Sequence, residues 1–173
     1  METFSTRRVL QADLKKLQEI STFTFKNTFA DVNTPQNMED YISKHLTEEK
    51  LSAELDNPDS EFYFALDDEK IIGYLKLNYA MAQTEKNDPE ALEVERIYVI
   101  PEYQGKKIGQ LLFDKALERA REKKPSYLWL GVWEENHRAI SFYKKQGFEQ
   151  FDKHLFTLGN DVQTDLMLKL ELY

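Results

Sequence analysis

A mixed α/β domain, with a central sheet flanked by helices, is what this sequence predicts, and three observations carry the prediction. Short β-branched and aromatic runs such as EFYFAL and LEVERIYVI alternate along the chain with segments whose apolar residues recur at helical spacing. With 41% apolar and 13% aromatic residues, a chain of 173 residues can bury one real core. No repeat, low-complexity tract or long linker offers a place to divide it, so residues 1–173 are expected to form one domain.

The opening TRRVLQADLKKLQEISTFTFKNTF reads as a short strand and then a helix, with Leu14, Leu17, Ile20, Phe25 and Phe29 near helical spacing. NTPQNMEDYISKHL restarts the pattern, with Thr34 as N-cap and Pro35 at the first helical position. TEEKLSAEL is a third short helix that ends before Asn57 and Pro58. EFYFAL and IIGYLKLN are strands joined by DDEK, which has hairpin turn chemistry, and YAMAQTEKNDPEA is a polar loop. LEVERIYVI is the next strand. Regular alternation along it puts Glu93, Glu95, Ile97 and Val99 on one face and Val94, Arg96, Tyr98 and Ile100 on the other.

IGQLLFDKALERAREKK is a helix with Ile108, Leu112, Ala116 and Ala120 on one face, stopped by Pro125. SYLWLGVWE is a near-continuous apolar strand, and its interior Gly131 marks close approach by a ligand or another backbone. NHRAISFYKKQG is a short helix that Asn136 caps and Gly147 closes. The tail gives two strands around a turn at Gly159 and Asn160. The order is therefore β-α-α-α-β-β-β-α-β-α-β-β.

Composition narrows the chemistry. There is no cysteine, which removes disulfides, thiolate metal sites and a cysteine nucleophile. His45, His137 and His154 form no HxxxH or HExxH pair, so no metal is expected and His137 is given no role. A net charge of -8 argues against a nucleic acid partner and suits a cationic small substrate, although many proteins are this acidic only for solubility. No window reaches the roughly 20 apolar residues of a membrane helix, and METFSTRRVL lacks a signal peptide's apolar region. A cytoplasmic protein with no membrane association is expected.

The stretch PEYQGKKIG lies between a strand and a helix, where spare backbone N–H groups and the helix dipole favour an anion. It is neither a GxxxxGK[ST] loop nor a GxGxxG fingerprint. Gln104, Gly105, Lys106, Lys107 and Gly109 offer donors and two cations to a group of pyrophosphate size, the plain alternative being an ordinary helix start.

ERIYVIPEYQGKKIGQLL followed by LGVWEENHRAISFYKKQGF resembles the core of the GNAT acetyltransferase superfamily, whose R/Q-x-x-G-x-G/A loop holds the acetyl-CoA pyrophosphate. Gln104 and Gly109 match its outer positions. Lys107 stands where glycine is usual, so its side chain either crowds the loop or sits on a backbone that keeps φ below zero. TFKNTF, the helix TPQNMEDYI, LEVERIYV and GNDVQTDLMLK extend the likeness over nearly the whole chain, toward PaiA-type spermine/spermidine acetyltransferases.

The resemblance implies a GNAT fold, with a mostly antiparallel sheet and a splayed acetyl-CoA cleft, acetyl-CoA as co-substrate and no metal. It implies that Gln104 to Gly109, Ile108 included, hold the pyrophosphate. Backbone N–H groups of Ile97, Tyr98 and Val99 face the pantetheine and the thioester oxygen, and Gly131 lies near the pantetheine. Asn136 contacts the same arm, and Lys144 or Lys145 meets the 3'-phosphate. Tyr143 becomes the general acid for the leaving thiolate and Glu95 the base, acting through water. Read from the residues alone, Tyr143 can be a core aromatic, Asn136 only a cap, the lysine pair a solvated face and Glu95 an ion-paired strand residue.

Amines near pKa 10 must lose a proton before they attack, which calls for carboxylates at the acyl site. Direct acetyl transfer to a polyamine such as spermidine or spermine is the expected function, with Glu85, Asp88, Glu90, Glu93 and the opening helices drawing in the polycation and His154 a further candidate contact. The alternatives are a protein N-terminus, an aminoglycoside or amino acid as acceptor, or a CoA-binding regulatory module with little turnover. A homodimer is an allowed assembly.

Overall fold

The computed structural model describes residues 3–85 and 88–172, and its elements follow the order read from the sequence. Strand β1 (Phe4–Arg8) leads into helices α1 (Leu14–Phe29), α2 (Pro35–His45) and α3 (Glu48–Asp56). Strands β2 (Ser60–Asp67), β3 (Lys70–Tyr79) and β4 (Leu92–Val99) come next, then helix α4 (Ile108–Lys123), strand β5 (Tyr127–Trp133), helix α5 (His137–Lys145) and strands β6 (Glu149–Leu158) and β7 (Asp161–Glu171). The caps are the expected ones: Thr34 accepts from the Asn37 N–H at 3.1 Å and Asn136 from the Ala139 N–H at 3.2 Å.

The strands form one seven-stranded sheet in the order β1-β2-β3-β4-β5-β7-β6. All neighbours run antiparallel except β4 and β5, whose α4 crossover forces a parallel arrangement. That pair is joined only at Leu92 with Leu128 and Glu93 with Trp129, after which the strands part.

A β-bulge explains the parting and corrects the face assignment along β4. Lys76 stands opposite Arg96 while the next residue, Leu77, stands opposite Val94, so Glu95 is the extra, unpaired residue. The bulge moves Arg96 and Tyr98 onto the face of Glu93, beside Tyr74, Lys76 and Asn78 of β3. Ile97 and Val99, expected with Glu93, turn to the opposite face beside Leu75 and Gly73. No glycine or proline signals the bulge in the sequence.

Helix α4 packs on the Gly73 face, and a Cβ at Gly73 would lie 2.7 Å from the Tyr98 carbonyl and 3.3 Å from Leu112. Helices α1 and α3 cover the other face of β2 and β3. The main core is centred on Leu17, Phe62, Phe64, Leu75, Leu112 and Leu128, all fully buried. A second apolar cluster, Phe25, Phe29, Met38, Leu46 and Leu158, ties α1 and α2 to the β6–β7 hairpin across the open side of the sheet. Asn37 completes this tie by donating Nδ2 to Asn160 Oδ1 at 2.8 Å and accepting the Asn160 N–H at 3.4 Å. Among the described residues no helix is long and apolar enough to cross a membrane, and no acidic, histidine or cysteine cluster could hold a metal.

Candidate active site

Two cavities open where β4 and β5 separate. One, of about 700 Å³, lies between the end of β4, the start of α4 and helix α5. The other, of about 780 Å³, lies on the α1–α3 side of the sheet. Both are lined by Ile97, Tyr98, Asn136 and Tyr143, so they meet at those residues as the two ends of one cleft.

Most residues expected to bind the cofactor come together at the first cavity: Ile97, Tyr98 and Val99 from β4, Gln104, Gly105, Lys107, Ile108 and Gly109 from the loop, and Asn136 and Tyr143 from α5. Helix α4 has no side-chain cap, and its first helical hydrogen bond is from the Leu111 N–H to the Lys107 carbonyl at 3.1 Å. The N–H groups of Ile108, Gly109 and Gln110 therefore precede the helical ladder at the cavity wall. A Cβ at Gly105 or Gly109 would meet nothing within 4 Å, so the space in front of these N–H groups is open to an anion. Because β5 has parted, the edge of β4 beyond Glu93 lacks a strand partner and offers its backbone groups to an extended arm.

Details of this half differ from the expectation. Lys107 does not keep φ below zero; it takes φ 67, the left-handed backbone a glycine would adopt, and Gly105 beside it has φ 83. The Gln104 side chain braces the loop, donating Nε2 to the Val99 carbonyl at 3.2 Å and accepting from Arg138 Nη1 at 2.9 Å. Lys106 does not line the cavity, its Nζ lying 5.1 Å from the centre of the Tyr103 ring. Lys144 and Lys145 are exposed on α5, away from both cavity walls. Gly131 is not near the pantetheine side; it lines the second cavity.

Tyr143 serves packing and the cleft together. Its ring contacts Phe142 and Phe148 at 5.4 and 5.6 Å between centroids, and it lines both cavities. Burial, with a smaller contribution from Tyr98, pushes its phenol above the ordinary tyrosine value, so it stays protonated at physiological pH.

A buried polar floor marks the second cavity. Lys76, whose side chain is 5% exposed, contacts Glu95 and lies 3.2 Å from Glu54 Oε1. Arg96 lies 3.4 Å from Glu54 Oε2 and 3.9 Å from Glu95 Oε1. Burial by itself would raise the Glu95 carboxyl, but Arg96 and then Lys76, with hydrogen bonds from Lys76 and Asn78, outweigh it and hold it at about 2. Asn78 Nδ2 bridges Glu93 at 3.0 Å and Glu95 at 3.2 Å. Glu93 also accepts from the Thr84 N–H at 2.8 Å and from the Thr84 hydroxyl; burial and the Glu95 charge still leave its carboxyl raised.

Glu85 and His154 line this cavity as well, whereas Asp88 and Glu90 lie outside its wall. Sequence reasoning missed Glu54, Lys76, Asn78, Arg96 and Asp165. Lys76 and Asn78, alternating inside the apolar run YLKLN, were the available signal, because charged and amide residues in a central strand need buried partners. Glu54 on a short amphipathic helix carried none.

Residues 22–148 match the acetyltransferase (GNAT) family model. An uncharacterised N-acetyltransferase in the pepI 3' region of Lactobacillus delbrueckii subsp. lactis is 44% identical over 165 residues, covering 95% of each chain. The spermidine N(1)-acetyltransferase of Thermoplasma acidophilum is 30% identical over 150 residues, covering 84% of this chain and 88% of its own. The crystal structure of PaiA N-acetyltransferase from T. acidophilum in complex with coenzyme A superposes with a TM-score of 0.80 at 28% identity, covering 98% of this chain and 99% of that one. The open α4 cradle and the unpartnered edge of β4 fit acetyl-CoA, the co-substrate of these enzymes. The chain therefore belongs to the GNAT family of acetyltransferases.

Proposed function

We propose that the protein transfers acetyl from acetyl-CoA directly to an amine of a polyamine such as spermidine or spermine. The observation that carries the acceptor is the second cavity, where Glu85, Glu93, Glu95, Glu54 and Asp165 outnumber the cations Lys50, Lys76 and Arg96. A cleft with surplus carboxylates in a chain of net charge -8 attracts a polycation. The 30% identical spermidine N(1)-acetyltransferase supports the same acceptor class.

In this reading the pyrophosphate lies against the N-terminus of α4 and the loop at Gly105, Lys107 and Gly109. Asn136 meets the pantetheine arm, and backbone N–H groups at Ile97 to Val99 polarise the thioester carbonyl. The acceptor nitrogen enters from the second cavity. As the N–C bond forms and the C–S bond breaks, Tyr143 gives its proton to the departing thiolate. The amine's proton leaves through water held by Glu95. A carboxyl held at about 2 keeps no proton near neutral pH, so Glu95 acts as a relay and as a negative charge facing the developing ammonium.

The test is thiol release from acetyl-CoA across spermine, spermidine, putrescine, a peptide with a free N-terminus and an aminoglycoside. The protein has no cysteine, so it contributes no thiol background. Turnover confined to the polyamines is the expected result. Preferred turnover of the peptide or aminoglycoside would overturn the acceptor, and acetyl-CoA binding with no turnover would favour a regulatory module.

A further inference from the structure

The floor of the second cavity is electrostatically closed, since Lys76 and Arg96 are each shared between Glu54 and Glu95. Its opposite wall is not. Asp165 of β7 stands in register with Trp133 of β5 on one side and His154 of β6 on the other, forming a row on the cleft face of the splayed arm. Its side chain is 17% exposed, yet among the described residues it takes part in no hydrogen bond, and its one ionic neighbour is His154 Nε2 at 3.8 Å. A carboxylate this withdrawn from water is normally hydrogen-bonded or paired. Burial accordingly raises its carboxyl, and its charge reaches the phenols of Tyr41 and Tyr98 on the facing walls.

Space is reserved at the same point. Gly131 lies beside Asp165, with the position of a Cβ 3.6 Å from Asp165 Oδ2, so any side chain there would occupy the room next to the carboxylate. Trp133, Phe156 and Tyr41 line the surrounding wall, apolar faces that suit methylene groups and attract cations.

We propose that Asp165 anchors a second ammonium of the acceptor, making it a specificity-determining residue that selects amines carrying a further positive charge some bonds away from the reacting nitrogen. This rests on the acceptor being a polyamine. The bound cation supplies the hydrogen-bonded partner that Asp165 lacks among the described residues, and the alkyl chain crosses the cleft over Gly131 toward Tyr143. Binding by this carboxylate also carries a stability cost in the free protein, because the side chain is 17% exposed and among the described residues accepts no hydrogen bond.

The experiment is Asp165→Asn, an isosteric change, with acetyl-CoA affinity, steady-state kinetics on spermidine and on butylamine, and the urea midpoint measured in parallel. The expected result is a rise in KM for spermidine of about 10- to 100-fold, the range for losing a charged hydrogen bond, with kcat changed far less. The loss for butylamine is at least tenfold smaller, acetyl-CoA binds as before, and the urea midpoint rises. Equal losses on both amines, or an unchanged KM for spermidine, would overturn the anchor while leaving the polyamine reading in place. A wild-type enzyme with no preference for spermidine over butylamine would overturn that reading and the anchor with it.

Discussion

Glu95→Gln is the substitution whose consequence can be worked furthest from the structure. It keeps the shape of the bulged residue and removes one charge from a network of two cations and two carboxylates. Lys76, 5% exposed, then loses its nearest partner and among the described residues keeps Glu54 at 3.2 Å as its carboxylate. Glu95 is held at about 2 in the fold, against an ordinary value of 4.5. A folded value below the unfolded one contributes stability that is fully present above the unfolded value and is lost as pH falls through the folded one. The difference corresponds to about 3 kcal/mol at pH 7, similar to the 3–5 kcal/mol usual for breaking a buried pair. For a chain of this size that lowers Tm by roughly 6–12 °C. Urea unfolding at pH 7 and again near pH 3 checks it. The gap between wild type and variant should fall to roughly half at the lower pH, where the unfolded chain's carboxyl is already protonated. A gap below about 1 kcal/mol at pH 7, or one that does not change with pH, would refute the argument. Replacing Lys76 and Glu95 together by apolar residues should recover much of the loss, because the lasting penalty lies in one unpaired buried charge.

Glu95→Gln should lower kcat without altering the shape of the pH–rate profile between about pH 6 and 9, since this carboxylate does not titrate there; an acid limb that disappears in the variant would contradict the relay role. Tyr143→Phe should lower kcat by about 100-fold or more with acetyl-CoA affinity nearly unchanged, whereas calorimetric affinity falling in parallel would make the residue a packing element. Gly109→Val should fill the open cradle and weaken acetyl-CoA binding, and an unaltered Kd would remove the pyrophosphate from the α4 N-terminus. Lys107→Gly should be neutral or stabilising by up to about 1 kcal/mol in a urea titration, because it relieves a left-handed lysine; a clear loss would show that the side chain supports the loop. Gly73→Ala should cost about 2 kcal/mol or more and slow turnover, since a Cβ there must push the Tyr98 carbonyl and the backbone facing the thioester.

Local pattern in the sequence already carried the architecture, though not the left-handed backbone of Lys107. The order of strands and helices, the Thr34 and Asn136 caps, the loop before α4 and the family likeness all follow from residues close together in the chain. The tertiary structure decided what depends on pairs distant in sequence. A bulge is defined by the partner strand, so the extra residue at Glu95, and with it the turn of Arg96 and Tyr98 toward the cleft, could not be read from LEVERIYVI alone. The neutralisation of Glu95 needs Lys76 from β3 beside its neighbour Arg96, and both cations are shared with Glu54 from α3, residues with no mutual spacing rule. The placing of Gly131 beside Asp165 needs β5 and β7 to pair while β4 and β5 separate. The physical reason is the same in each case: backbone propensity acts over a few residues, whereas burial and Coulomb interaction act through space and assign a charged side chain its role only once the sheet has assembled.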